Sequence, residues 1–282
     1  IRRLQKITTP PDLIIIDEAH HAAAGSWQAI INHWPDVPLI GVTATPCRLD
    51  GKGLGNVFDT LIEGPSVQLL TSAGYLSPAR IYAPPMVADL SGIKRRAGDY
   101  AIDQAADAMT RPTVTGDAIK HYRTLAGDQQ AIAFCCSINH AVSVRDSFAT
   151  TDISSELLLG NTSDRDAVVG RFANGETRIL VTVDVVSEGF DIPAAGCAIL
   201  LRPTQSLGLY LQQVGRVLRP APGKVHAIIL DHVGNVTRHG WPERDDRAEG
   251  TADVREFDGV GHWPGSGARR RRRCRFRRGD RL

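Results

Sequence analysis

The chain has 282 residues, 42% of them hydrophobic and 23% charged, with a formal net charge of +2. That length suffices for two domains with cores of their own, and no apolar run approaches the roughly 20 residues that span a bilayer. The five cysteines, Cys47, Cys135, Cys136, Cys197 and Cys274, are odd in number and form no CxxC pair, which argues against a disulfide scaffold or a zinc site and for reduced thiols.

The opening Ile1-Arg2-Arg3-Leu4-Gln5-Lys6 lacks an initiator Met and no signal-peptide core follows it, so a cytoplasmic protein without membrane attachment is expected. Short apolar runs then alternate with helical patterns, the signature of βαβ units and a parallel sheet. Residues 13–17 read as a buried strand, 26–33 as a helix, 38–43 as a strand, 67–72 as a helix opened by Pro65-Ser66, and 80–83 as a short strand. The pattern breaks at Pro84-Pro85, two glycines and the cluster Lys94-Arg95-Arg96, which reads as a linker. A second alternating block follows. It has helices at 113–125, 138–148, 163–173 and 206–218, and strands at 131–135, 153–158, 178–183, 197–201 and 225–231. The expected organisation is a partial first domain over 1–83, a linker over 84–111, a full α/β domain over 112–240 and a non-globular end over 241–282. Residues 268–282 hold nine Arg and one acid, a charge of +8 that leaves −6 on the rest of the chain. Such a run is solvated and disordered by composition, and it also attaches to nucleic acid phosphates without sequence preference.

The most informative segment is Leu13-Ile14-Ile15-Ile16-Asp17-Glu18-Ala19-His20. Two carboxylates emerge at the C-terminal edge of a strand, where open α/β sheets bind ligands. One can hold a metal while its neighbour polarises an attacking water, which suits phosphate-anhydride hydrolysis. A strand followed by an acidic helix cap is the plain alternative. Gly41-Val42-Thr43-Ala44-Thr45-Pro46 ends the next strand with hydroxyls able to bond a neighbouring carboxylate or histidine, or forms a simple turn. Residues 181–193 offer hydroxyls, Gly189 for close backbone approach and Asp191 as an acceptor for a sugar or a basic side chain, or an ordinary loop before Pro193. In Gln212-Gln213-Val214-Gly215-Arg216-Val217-Leu218-Arg219, spacing predicts Gln212, Arg216 and Arg219 on one helix face, suited to stabilising charge on a transferring phosphate, or a solvated basic face.

These four segments, DEAH at 17–20, TATP at 43–46, SEGFDIP at 187–193 and QQVGRVLR at 212–219, resemble motifs II, III, V and VI of superfamily 2 DEAD/DEAH-box helicases, in order. TATPCRLDGKGL and DHVGN resemble bacterial and phage members related to restriction-enzyme motor subunits. The resemblance implies an α/β fold of two RecA-like domains with parallel sheets, the first incomplete, with ATP and Mg2+ as cofactors and nucleic acid as partner. The restriction-motor likeness favours DNA over RNA. It further implies Asp17 as the magnesium-associated acid, Glu18 as the base, and His20, Thr43 and Thr45 as coupling residues. Gly189 and Asp191 would close on the nucleotide, Gln212 would contact it or the attacking water, Arg216 and Arg219 would reach the γ-phosphate, and Ser137 and Thr182 would touch the nucleic acid backbone.

The pattern departs from the family at motif I. No GxxxxGK[ST] loop occurs in the chain, and the sixteen residues before Asp17 contain nothing like one. The expectation is therefore a part of a longer helicase that hydrolyses ATP poorly alone. A non-catalytic nucleic-acid-binding module, built on the second domain and the Arg-rich tail, is the alternative.

Overall fold

The computed structural model describes residues 7, 9–43, 54–83, 92–96, 99–109, 112–183 and 195–240. The chain divides into two compact units, Ile1–Gly64 with Pro264–Leu282, and Pro65–Trp263.

In the first unit β1 (Ile14–Ile16) pairs in parallel with β2 (Leu39–Gly41), Ile14 opposite Leu39 and Ile16 opposite Gly41. The crossover between them contains a 3-10 turn, Ala19–His21, and helix α1, Gly25–Ile31. Ile16, Ala19 and Ala22 are buried beneath Trp27, Ile31, Leu39, Val57 and Phe58. Gly41 is required here by close approach: a Cβ at this position would lie 2.4 Å from the Phe58 ring and 2.7 Å from Ala19 Cβ. On the other face of the pair Leu13, Ile15, Ile40 and Val42 are exposed, Ile15 by 64%. That face is as apolar as the inner one, the composition of a parallel strand built for cover on both sides.

The second unit is a six-stranded, wholly parallel sheet in the order β3-β10-β9-β6-β8-β7. Its strands are β3 (Ala79–Tyr82), β6 (Ala131–Phe134), β7 (Ser155–Leu158), β8 (Ile179–Thr182), β9 (Cys197–Leu200) and β10 (Ala227–Asp231). The four inner strands are buried at every position, because apolar runs without alternation suit a sheet covered on both faces. Around them lie α2 (Val67–Ser72), α3 (Ile102–Met109), α4 (Pro112–His121), α5 (Ile138–Ala149), α6 (Arg165–Ala173), α7 (Leu207–Leu218) and α8 (Asn235–His239). Ser66, Ser137 and Ser206 each accept a backbone N–H as the N-cap of α2, α5 and α7. Cys135, Cys136 and Cys197 are buried free thiols, and burial pushes that of Cys136 up to about 12.

Two expected boundaries are corrected. Residues 80–83 were expected to close the first domain, but β3 pairs with β10, Ala79 opposite Ala227 and Tyr82 opposite Leu230, so the second unit begins at Pro65. Residues 84–111 were expected to be a linker, but α3 buries Ala105, Ala106 and Met109 in the second core. Before it, β4 (Arg95–Arg96) and β5 (Asp99–Tyr100) form an antiparallel hairpin. The alternating pattern was read locally, whereas β3 joins its neighbour across about 150 residues of sequence and α3 is too short and alanine-rich to announce itself. Residues 241–282 lie outside those described.

Candidate functional site

The acidic pair follows β1 directly. Ile16 is buried, Asp17 is exposed, and Glu18 adopts a left-handed backbone conformation, φ 49° and ψ 49°. A non-glycine residue in this region is strained and is held by its surroundings. Here the Ala19 N–H donates to Val42 O at 2.9 Å and the Val42 N–H to Ile16 O at 2.9 Å, which fasten both sides of the turn to β2. Asp17 Oδ1 accepts the Glu18 N–H at 2.8 Å. His20 Nδ1 lies 3.1 Å from Thr43 Oγ1 and 3.2 Å from Glu18 Oε2. The sequence-predicted Glu18, His20 and Thr43 are thus brought together within one unit. Thr45, Gly189 and Asp191 lie outside the described residues.

Two hard oxygen donors at a strand edge, Asp17 exposed and Glu18 half-buried, fit the chemistry of a magnesium ion that retains several waters. Among the described residues no cluster of three or more His, Cys, Asp or Glu forms a closed metal cage.

The second unit carries the basic motif on α7. Tyr210, Gln213, Val214, Val217 and Leu218 fill one face of this helix and are buried, which leaves Gln212 and Arg216 partly exposed on the other. Arg219 departs from the expected shared helix face. The helix ends at Leu218, and Arg219 is extended, φ −62° and ψ 133°. Pro220 is the cause, since its ring disfavours helical backbone at the residue before it. The departing turn is fixed by Lys224, whose Nζ donates to the carbonyls of Ala195 at 2.8 Å, Val217 at 2.5 Å and Arg219 at 2.7 Å. Burial holds the Lys224 pKa down to about 8. Sequence reasoning missed this residue, which sits in an unremarkable Pro-Gly-Lys turn.

The two residues assigned to a nucleic acid backbone fare differently. Ser137 is partly exposed at the C-terminal edge of β6, where its Oγ accepts the His140 N–H at 3.2 Å. Thr182 is fully buried and its hydroxyl donates to Leu158 O at 2.8 Å. This hydroxyl ties β8 to the end of β7.

A further polar network, also missed, organises the same edge. Asp231, at the end of β10, accepts the N–H groups of Val233 at 3.2 Å and Val236 at 2.7 Å. Asn235 accepts the Thr204 N–H at 3.1 Å and donates to Arg202 O at 3.0 Å, and Arg238 donates to Asn235 Oδ1 at 2.9 Å. The Asp-His-Val-Gly-Asn run thereby ties the start of α8 to the loop that leads into α7. The sequence signal was an Asp at a strand end with Gly-Asn three and four residues later, a turn pattern with a mechanism.

Residues 116–221 match the helicase conserved C-terminal domain, and residues 2–48 match the type III restriction enzyme res subunit family. Over these two segments the chain is similar to superfamily 2 helicases. A 51.5 kDa protein of a Lactococcus phage (isolate 7-9) is 38% identical over 83% of this chain and 51% of its own length. The Saccharomyces cerevisiae protein named Putative ATP-dependent helicase IRC3 is 31% identical over 83% of this chain and 36% of its own length. The chain therefore spans about half, or less, of the length of these relatives. Among solved structures, the ATP-dependent Type ISP restriction-modification enzyme LlaBIII bound to DNA superposes with a TM-score of 0.56 at 19% identity, over 81% of this chain and 18% of the enzyme. At that identity the likeness shows the fold, and it agrees with the α/β, RecA-like class expected from the motifs.

Proposed function

We propose that this chain contributes to an ATP-dependent DNA translocase or helicase, in which nucleotide hydrolysis drives movement along nucleic acid. The observation that carries this reading is the Glu18–His20–Thr43 cluster. It sets the carboxylate of motif II 3.2 Å, and the hydroxyl of motif III 3.1 Å, from one imidazole nitrogen. In this reading Glu18 orients and deprotonates the attacking water, while His20 and Thr43 report its state to the nucleic-acid-binding surface. Asp17 would hold Mg2+ through water, and the ion would supply charge neutralisation on the phosphates. Gln212 would contact the nucleotide or the attacking water, and Arg216 and Arg219 would stabilise charge on the transferred phosphate. DNA is favoured over RNA by the restriction-enzyme family match over residues 2–48.

No phosphate loop lies within the 282 residues, so this chain by itself would hold ATP weakly and turn it over slowly. In a product of the same reading frame that includes a GxxxxGK[ST] loop, DNA should stimulate ATP hydrolysis, and Glu18→Gln should reduce the rate by at least about a hundredfold while leaving nucleic acid binding intact. Tight ATP binding and robust turnover by the chain alone would sink the proposal that it lacks its cradle. Nucleic acid binding that ignores ATP in the longer product would favour the non-catalytic module instead.

A further inference from the structure

The basic cluster Lys94-Arg95-Arg96 is no part of a free linker. Its backbone is bound at both ends: the Lys94 N–H donates to Gln104 Oε1 at 2.9 Å, and Lys94 O accepts the Ala101 N–H at 2.8 Å. Across the hairpin, Arg95 pairs with Tyr100 and Arg96 with Asp99. Asp99 then locks the hairpin onto the loop between β9 and α7. Its carboxylate accepts the Thr204 hydroxyl at 2.7 Å, the Gln205 N–H at 2.6 Å and the Tyr100 N–H at 2.8 Å. Arg238 lies 5.3 Å from the centre of the Tyr100 ring, a cation–π contact that holds the outer strand from the other side.

The side chains of Lys94 and Arg95, by contrast, are exposed and have no ion-pair or hydrogen-bond partner among the described residues. Like charges placed side by side repel, and a surface that needed them only for solubility would gain nothing from fixing them with a three-bonded carboxylate. Fixing them is useful if they meet a ligand of opposite charge, because the ordering cost is then met before binding. The hairpin also lies at the C-terminal edge of the sheet: Thr204 follows β9, which neighbours β6, whose edge carries Ser137.

We propose that the paired strands β4 and β5, with Lys94 before them, are a fixed arm that binds the backbone phosphates of nucleic acid, with Lys94 and Arg95 as its contacts and Asp99 as the residue that positions them. This rests on the nucleic-acid reading above and adds to it a contact outside the four sequence motifs. The contact is to phosphate, so it secures the strand without reading sequence.

The test is a salt titration of the full chain on short labelled duplex DNA and, in parallel, single-stranded DNA and RNA, by fluorescence anisotropy. Each phosphate contact contributes about 0.9 to the slope of log affinity against log salt on duplex DNA, so Lys94→Ala with Arg95→Ala should lower that slope by about 2. Asp99→Ala separates a positioned arm from a diffuse charge. It makes the protein more positive, so simple attraction would tighten binding, whereas loss of the anchor should weaken it. Circular dichroism shows whether that variant still folds, and the exposed Lys94 and Arg95 pair decides the matter if it does not. Binding by the parent chain with an unchanged slope in the double variant overturns the arm alone. No binding by the parent chain to any of the three probes overturns the nucleic-acid reading and the arm with it.

Discussion

At the scale of single residues, Gly41 shows how little room the acidic turn leaves. Phe58 and Ala19 occupy the space a Cβ at Gly41 would need. Gly41→Ala forces a methyl into both, an overpacking of roughly 1–3 kcal/mol. The expected result is an earlier urea midpoint for the first unit, followed by the fluorescence of Trp27, which packs in the same cluster. Phe58→Leu in the same chain should recover part of the loss. An unchanged midpoint in Gly41→Ala would mean that Phe58 does not sit over β2. Asp17, Glu18, His20 and Thr43 were legible as types at a spacing, because a strand end followed by acids has chemical meaning before any fold is known. The left-handed turn at Glu18 was not, since nothing in a Glu announces positive φ.

At the scale of elements, the start of α7 is legible in the sequence and its end is one residue earlier than the spacing predicts. Ser206 and the apolar spacing gave the helix and its buried face, while Pro220 should have removed Arg219 from it. Lys224 then holds that end, and Lys224→Met tests the arrangement. The side chain keeps its unbranched apolar stem but loses the terminal donor, so three carbonyls lose a partner, at a cost of roughly 1–3 kcal/mol. Hydrogen exchange should quicken in the last turn of α7 and near Ala195, while the first turn, capped by Ser206, keeps its protection. Uniform exchange along the helix would count against a local role for Lys224. The inner strands of the second sheet were legible as apolar runs; the edge strand β3 was not, because its neighbour is chosen by topology rather than by any property of Ala79–Tyr82.

At the scale of the molecule, the second unit carries buried histidines whose protonation opposes folding. Burial holds His140 down to about 4 and His232 to about 3, the latter aided by neighbouring His121. Both are depressed below the unfolded value near 6.5. Between those values the unfolded chain binds protons that the folded chain does not, so stability is full above about pH 6.5 and falls as the solution is acidified. Within that window the loss approaches about 1.4 kcal/mol per pH unit for each ring. Urea unfolding followed by far-ultraviolet dichroism should show a marked drop in midpoint from pH 7 to pH 5. His140→Asn should flatten the dependence, and a midpoint indifferent to pH over this range would mean that these rings are solvated.

The imidazole of His20 has one further consequence. Its Nδ1 faces both Glu18 and Thr43, yet a ring nitrogen holds either a hydrogen or a lone pair. With the hydrogen present, Nδ1 donates to the Thr43 hydroxyl oxygen, with the Glu18 carboxylate 3.2 Å away. With the lone pair present, it can only accept, and the Thr43 hydroxyl is the neighbour able to give. The bond to Thr43 therefore survives in either tautomer with its direction reversed: a displacement of one proton from Nδ1 to Nε2 turns the Thr43 hydroxyl from acceptor into donor.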